Sequence, residues 1–185
     1  MRLMTAMTAT SREKSKVRRP KVRCMAPSCS MRVKVEERVA VAAPPEVVWQ
    51  ALTDWEGQSG WMVLTTVNVE PGGHRVGERL DAVTGLGGVG FHDAMEVTRW
   101  DPPRRVDVAH VGKVVRGTGT FAVDPAPGGA WCTWVEDLDL PLGVPGQLGF
   151  ALVRPIFRLM LRQSLRRLVR QVEARPRGVP GPPAR

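Results

Sequence analysis

One histidine and two carboxylates occupy positions where strand alternation sets them among apolar side chains. In "VDVAHV", Val106 and Val108 share their parity with His110; in "FHDAMEVTRW", Met95 and Val97 share theirs with Asp93; in "AWCTWVEDLDL", Trp134 and Leu138 share theirs with Glu136. Residues two apart lie on one face of a strand, so each ionisable group should point the way its apolar neighbours do. A histidine beside a carboxylate can remove a proton from an acidic carbon and help expel water. In that chemistry His110 is the base, and Glu136 or Asp93 orients it or serves as the acid. The same groups could instead satisfy one another or a buried water, or meet solvent. By the same parity Phe121 and Val123 turn Gly117 and Gly119 inward, where absent side chains leave room.

Other candidate chemistry falls away. His92 has the opposite parity to Asp93 and should face solvent, and His74 sits in a glycine turn. A metal centre needs three or four convergent ligands, and no such set is found. Cys24 and Cys29 form a C-x4-C pair that still lacks two ligands, and Cys132 reads as a small core residue of a strand. Gly85, Gly87 and Gly90 satisfy G-x-G-x-x-G, but the dinucleotide fingerprint needs a helix after its glycines. Phe91 to Trp100 alternates like a strand instead, so a hairpin is expected and no cofactor is implied.

The elements that must position these groups follow in order. "RVKVEERVAV" places Val33, Val35, Val39 and Val41 on one parity, the pattern of a half-buried strand. Pro44 and Pro45 close it and suit a helix start, where an N–H would have no partner anyway, and Glu46 favours the first turn. "VVWQAL" predicts a short helix, and Asp54 can cap a second one containing "WEGQSGW". Trp49, Trp55 and Trp61, six apart, cannot form one helical stripe, because six residues turn a helix by about 600°. They read as separate packing points. From "ERLDAVT" to "AWCTWVEDLDL", apolar alternation broken by Gly/Pro turns predicts four antiparallel strands in a meander.

The longest element is C-terminal. Between about Pro145 and Ala174, Leu152, Ile156, Phe157, Met160, Leu161, Leu165, Leu168 and Val172 recur at three and four, and Arg154, Arg158, Arg162, Arg166 and Arg170 recur every four. This is an amphipathic helix, with Pro155 the expected point of any kink. Its arginines read as a solvated face over an acidic body, with an acidic partner or an anionic membrane as the alternative.

The charge of +9 belongs to the two ends. Residues 1–30 hold eight Lys/Arg against one acid and residues 151–185 nine against one, whereas residues 31–150 hold ten against sixteen, a net −6. A nucleic-acid footprint would need a basic face on the folded body, so none is expected. Residues 1–30 show neither helical nor strand period and read as a disordered leader, as residues 175–185 do as a tail. The leader lacks the apolar core of a secretory signal. With one Ile, one Asn and no Tyr, residues 31–185 suggest a GC-rich bacterial gene, and Met31 is the expected physiological start. The odd cysteine count points to a reducing, cytoplasmic location. No run of about 18 apolar residues could span a membrane.

Three phrases in order carry a resemblance: "V-x-A-P-P-E-V-V-W-x-A-L-T-D-W", "M-E-V-T-R-W-D-P-P-R-R-V", and "G-T-G-T-F" before "W-x-E-x-L-x-L-P". Over residues 32–174 the chain resembles the START-like helix-grip superfamily (SRPBCC), in the branch called polyketide cyclase/dehydrase and lipid transport. The resemblance implies one α+β domain over residues 31–174. A curved antiparallel sheet would wrap around the long C-terminal helix, with two short helices after the first strand and an elongated, mostly apolar cavity between sheet and helix. Met95, Val97, Val108, Gly117, Gly119, Phe121 and Trp134 from the sheet, with Phe157, Met160 and Leu161 from the helix, are the expected ligand contacts. The expected function is to bind a hydrophobic or amphipathic molecule, such as a polyketide, a fatty acid or another lipid. The alternatives are a polyketide cyclase or aromatase using His110 with Glu136 or Asp93, and a partner-binding module working through the arginine-rich helix.

Overall fold

The computed structural model describes residues 31–69, 74–86, 89–113, 115–140 and 144–174. The leader with Cys24 and Cys29, the tail, and Gly87 lie outside the described residues. Seven strands, β1 (Met31–Val41), β2 (Thr65–Val69), β3 (Arg79–Leu86), β4 (Val89–Asp101), β5 (Arg105–His110), β6 (Gly117–Ala126) and β7 (Gly129–Leu140), form one sheet in the order β1-β7-β6-β5-β4-β3-β2. Every neighbouring pair is antiparallel. The meander after the first helices therefore has six strands where four were expected: the stretch from "ERLDAVT" to "AWCTWVEDLDL" itself holds five, β3 to β7, and β2 precedes it. Strand β2 is short, five residues with one buried position at Val67, which leaves too little alternation to separate it from the turn that follows.

Helix α1 (Pro45–Thr53) starts on the two prolines with Glu46 in its first turn, and it buries Val48, Trp49, Ala51 and Leu52. The second expected helix is a single 3₁₀ turn, Glu56–Gly60, and the Oδ1 of Asp54 accepts the Gly57 N–H at 3.1 Å. Two glycines in five residues explain why no longer helix forms there. The tryptophans disperse as separate packing points. Trp49 meets Trp100 with ring centroids 5.1 Å apart, while Trp61 packs edge-on to Phe121 and Trp134, each at 6.1 Å.

Helix α2 (Val144–Glu173) contains Pro155 and lies across β1, α1 and β7. This is the helix-grip arrangement. The helix is amphipathic in an uneven way: Leu161, Leu165, Leu168 and Val172 are buried, but Leu152 is 82% and Ile156 63% exposed, against the sequence expectation that both belong to the packed stripe. The inward line instead runs Phe150, Phe157, Leu161, Leu165, Leu168, Val172, close to a straight row on a 3.6-residue helix. Leu152 and Ile156 fall to its far side. Four polar ties among the described residues fix the helix, one of them the Val63 N–H donating to Ser164 Oγ at 2.9 Å. Arg158 and Arg162 donate from Nε to the two oxygens of buried Glu37 on β1, at 2.7 and 2.6 Å, and Glu173 accepts the Ala42 N–H at 2.8 Å.

Register also decides which way each strand faces. Strand β4 shifts register against β5 between Val97 and Arg99, so an extra residue, Thr98, separates Asp93, Met95 and Val97 from Trp100. A bulge of this kind reverses parity, and Trp100 joins Trp49 and Trp55 on the inner side.

Candidate functional site

Between the sheet and α2 lies a cavity of about 360 Å³. The sheet supplies Phe91, Met95, Val106, Val108, Phe121 and Leu138 among others, and the helix supplies Phe150, Phe157, Met160 and Leu161. Into this apolar wall β4, β5 and β7 project Asp93, His110 and Glu136, all buried.

The three groups form one hydrogen-bonded unit. His110 Nδ1 lies 2.8 Å from Asp93 Oδ2 and 3.0 Å from Oδ1; its Nε2 lies 3.0 Å from Glu136 Oε2. The remaining Glu136 oxygen accepts the indole N–H of Trp134 at 2.7 Å. Burial alone would push the imidazole toward its neutral form, but the hydrogen bonds and negative charges of Asp93 and Glu136 outweigh it and hold the His110 pKa up at about 10. At neutral pH His110 is thus an imidazolium donating from both nitrogens. Such a ring has no lone pair with which to accept a proton. One cation between two carboxylates leaves a net negative unit in the cavity wall, whose oxygens, each already accepting one hydrogen bond, retain acceptor capacity.

Of the expected contacts, Met95, Val108, Gly119, Phe121, Trp134, Phe157, Met160 and Leu161 line the cavity. Val97 and Gly117 do not. Val97 is fully buried in the core beneath. Gly117 has φ +132°, and a Cβ there would fall 2.1 Å from the Asp137 carbonyl oxygen, so backbone packing against β7, not room for a ligand, explains that glycine. Gly119 differs: a Cβ there would stand 3.0 Å from Val108 Cγ2 and 3.3 Å from His110 Nε2, on the cavity side.

Sequence reading missed several wall residues. Phe91 shares the parity of Asp93, and Phe150 precedes Phe157 by two helical turns, so both were within reach of the same periodicities. Trp55, expected only as a packing point, also lines the cavity, as do Gln58, Met62 and Val63. Their 3₁₀ turn and the loop after it have no period that could reveal which side chains point inward. His92 is exposed, with Nδ1 2.9 Å from Asp81 Oδ2, as its parity implied. His74 stacks on Trp55 with centroids 6.2 Å apart and places Nε2 2.8 Å from the Thr53 carbonyl oxygen. Cys132 is buried, and burial raises its thiol pKa to about 12, so it stays an inert thiol. Among the described residues no cluster of His, Cys, Asp and Glu could hold a metal ion.

A family model described as polyketide cyclase / dehydrase and lipid transport matches residues 32–173. Among solved structures, the Zhui aromatase/cyclase from a Streptomyces species superposes with a TM-score of 0.64 at 17% identity, covering 80% of this chain and 98% of that one. TTHA0849 from Thermus thermophilus gives 0.63 at 23% identity, over 78% and 98% of the two chains. The di-domain aromatase/cyclase StfQ of the steffimycin biosynthetic pathway gives 0.64 at 13% identity, over 77% of this chain and 51% of that one. At these identities the likeness is one of fold. No curated protein sequence matches the chain.

Proposed function

The chain belongs to the polyketide cyclase/dehydrase and lipid transport family, and on that premise we propose that it binds a hydrophobic molecule carrying a hydroxyl or enol group. The observation that carries this reading is the cavity itself, apolar except for one buried ionic unit in its wall. Burial of ligand surface supplies affinity at about 25 cal/mol per Å² before the costs of ordering. The Asp93–His110–Glu136 unit supplies orientation. Both imidazolium N–H groups are engaged, so the unit offers acceptors, and the ligand's polar end is therefore a donor.

A second reading, cyclase or aromatase chemistry on a poly-β-ketone, is favoured by two carboxylates with spare acceptor capacity in the cavity wall beside an imidazolium. Here a carboxylate, not His110, removes the methylene proton. The carboxyl then gives that proton to a departing hydroxyl, releasing water and restoring the carboxylate, while the imidazolium steadies its charge across their hydrogen bond.

Titration with the neutral fluorescent probe 1-N-phenylnaphthylamine tests the binding reading. The wild-type chain should enhance its emission saturably, and Met160→Trp and Gly119→Val, which fill the cavity from opposite walls, should weaken binding at least ~10-fold, a difference of about 1.4 kcal/mol. Equal binding by wild type and by folded variants, verified by circular dichroism, contradicts it. The two readings separate with His110→Gln and Glu136→Gln: turnover lost while probe binding survives marks an enzyme.

A further inference from the structure

The first half of α2 carries more exposed apolar surface than packing explains. Leu148, Leu152, Ile156 and Leu159 follow one another at four, four and three residues, so they form a single stripe, and all four are exposed. Continued along the helix, the stripe passes Gln163 and becomes Arg166 and Arg170, also exposed. Beside its apolar half lies a shallow recess of about 510 Å³ lined by Ala151, Arg154, Pro155, Arg158, Leu159 and Arg162. Three guanidinium groups border this recess and no carboxylate does. Arg158 and Arg162 spend their Nε atoms on Glu37, but their terminal nitrogens, and all of Arg154, have no carboxylate partner among the described residues.

We propose that this face of α2 docks on the surface of an anionic phospholipid bilayer, with Leu148, Leu152 and Ile156 entering the acyl boundary and the Arg154–Arg158–Arg162 recess taking a lipid phosphate. Apolar side chains flanked by arginine are the composition of an interfacial helix, and guanidinium groups match phosphate oxygens in geometry as well as charge. A second copy of the chain fits less well, because its own stripe would bring further arginines against this recess. Phe150 and Phe157, on the inward side of the same helical segment, line the cavity. A docked helix would therefore hold the ligand cavity beside the bilayer. The inference stands apart from the identity of the cavity ligand.

Flotation of the full chain with vesicles tests it, comparing equimolar phosphatidylglycerol and phosphatidylcholine with phosphatidylcholine alone. Residues 1–30 hold eight Lys/Arg themselves, so the decisive quantity is the difference between variants that share that leader. Leu152→Asp/Ile156→Asp should reduce the partition coefficient on anionic vesicles at least ~10-fold. Arg154→Glu/Arg166→Glu should do the same, since each basic residue near an anionic surface contributes about fivefold. Both variants should still bind 1-N-phenylnaphthylamine without vesicles, which separates failure of docking from failure of the cavity reading. Wild-type partition by either variant, or equal binding to neutral vesicles, overturns the proposal. So does a dimer in analytical ultracentrifugation that Leu152→Asp/Ile156→Asp dissociates, with no vesicle binding by the wild type.

Discussion

His110 and Glu136 lie on strands that do not touch, and their side chains meet only by crossing Gly119. Strand β6 runs between β5 and β7, with Gly119 opposite Val108 on one side and Glu136 on the other. Adjacent strands are about 4.8 Å apart, so the 3.0 Å contact between Nε2 and Oε2 spans two inter-strand gaps. Any side chain at position 119 would stand in that path. Gly119 thus has two effects: it keeps the cavity open, and it lets the ionic unit close over it.

The first consequence is the titration of His110. Its folded pKa, about 10, lies above the ordinary 6.5. The stabilisation from ring protonation is therefore fully present below 6.5 and drains away as the pH rises toward 10. NMR of the imidazole carbons should show a charged ring throughout neutral pH and a midpoint far above 6.5. A midpoint near 6.5 contradicts the paired imidazolium.

Removing the ring should be costly in a pH-dependent way. His110→Ala leaves two buried carboxylates without their shared cation, a loss of about 3–5 kcal/mol at neutral pH for breaking a buried ion pair. Protonation of a carboxylate relieves that repulsion, so urea unfolding should show a smaller deficit at pH 4 than at pH 7. An equal deficit at both values would leave the ring with a packing role alone.

At the helix, Glu37 responds to acid. Burial pushes its pKa up, but the hydrogen bonds and charges of Arg162 and Arg158 prevail and hold it below 4.5. That stabilisation is present above 4.5 and fades as the pH falls through the lowered value. Glu37→Ala should cost about 1.5–3 kcal/mol at neutral pH, and the difference from wild type should shrink in acid. A difference that is constant with pH would refute an ionic origin.

Trp61 offers a test of core chemistry. It is fully buried, and its indole N–H has no hydrogen-bond partner among the described residues. Trp61→Ala should cost about 3–5 kcal/mol. Trp61→Phe keeps much of the ring against Phe121 and Trp134 and removes an unpaired donor, so less than about 1.5 kcal/mol is expected. Thermal unfolding of both variants checks this, and equal losses would mean that the N–H is satisfied.

Much of this architecture is legible in periodicity. Valine parity gives β1, Pro44 and Pro45 give the start of α1, and alternation turns Asp93, His110 and Glu136 inward, because each depends on a residue's own strand or helix. What parity cannot supply is register between strands. That Glu136 reaches Nε2 over Gly119, and that Asp93 reaches Nδ1 from one strand away, follow from pairings such as Met95 with His110. That the His110 ring is held on both nitrogens follows from register as well, and such a ring behaves unlike one held on a single nitrogen. Gly117 and Gly119 look alike in "GTGTF", yet one answers to the backbone of β7 and the other to the cavity. The exposed half of α2 was hidden differently: apolar residues at helical spacing read as core, whether or not the sheet extends far enough to cover them.

The most direct test of the central claim is native mass spectrometry of the chain purified from its natural host, with Met160→Trp prepared alongside. A bound small molecule should appear as a discrete noncovalent adduct, be displaced by 1-N-phenylnaphthylamine, and be missing from the variant. A bare wild-type chain that also fails to bind the probe, or an adduct equally occupied in Met160→Trp, would contradict a ligand held between the sheet and α2.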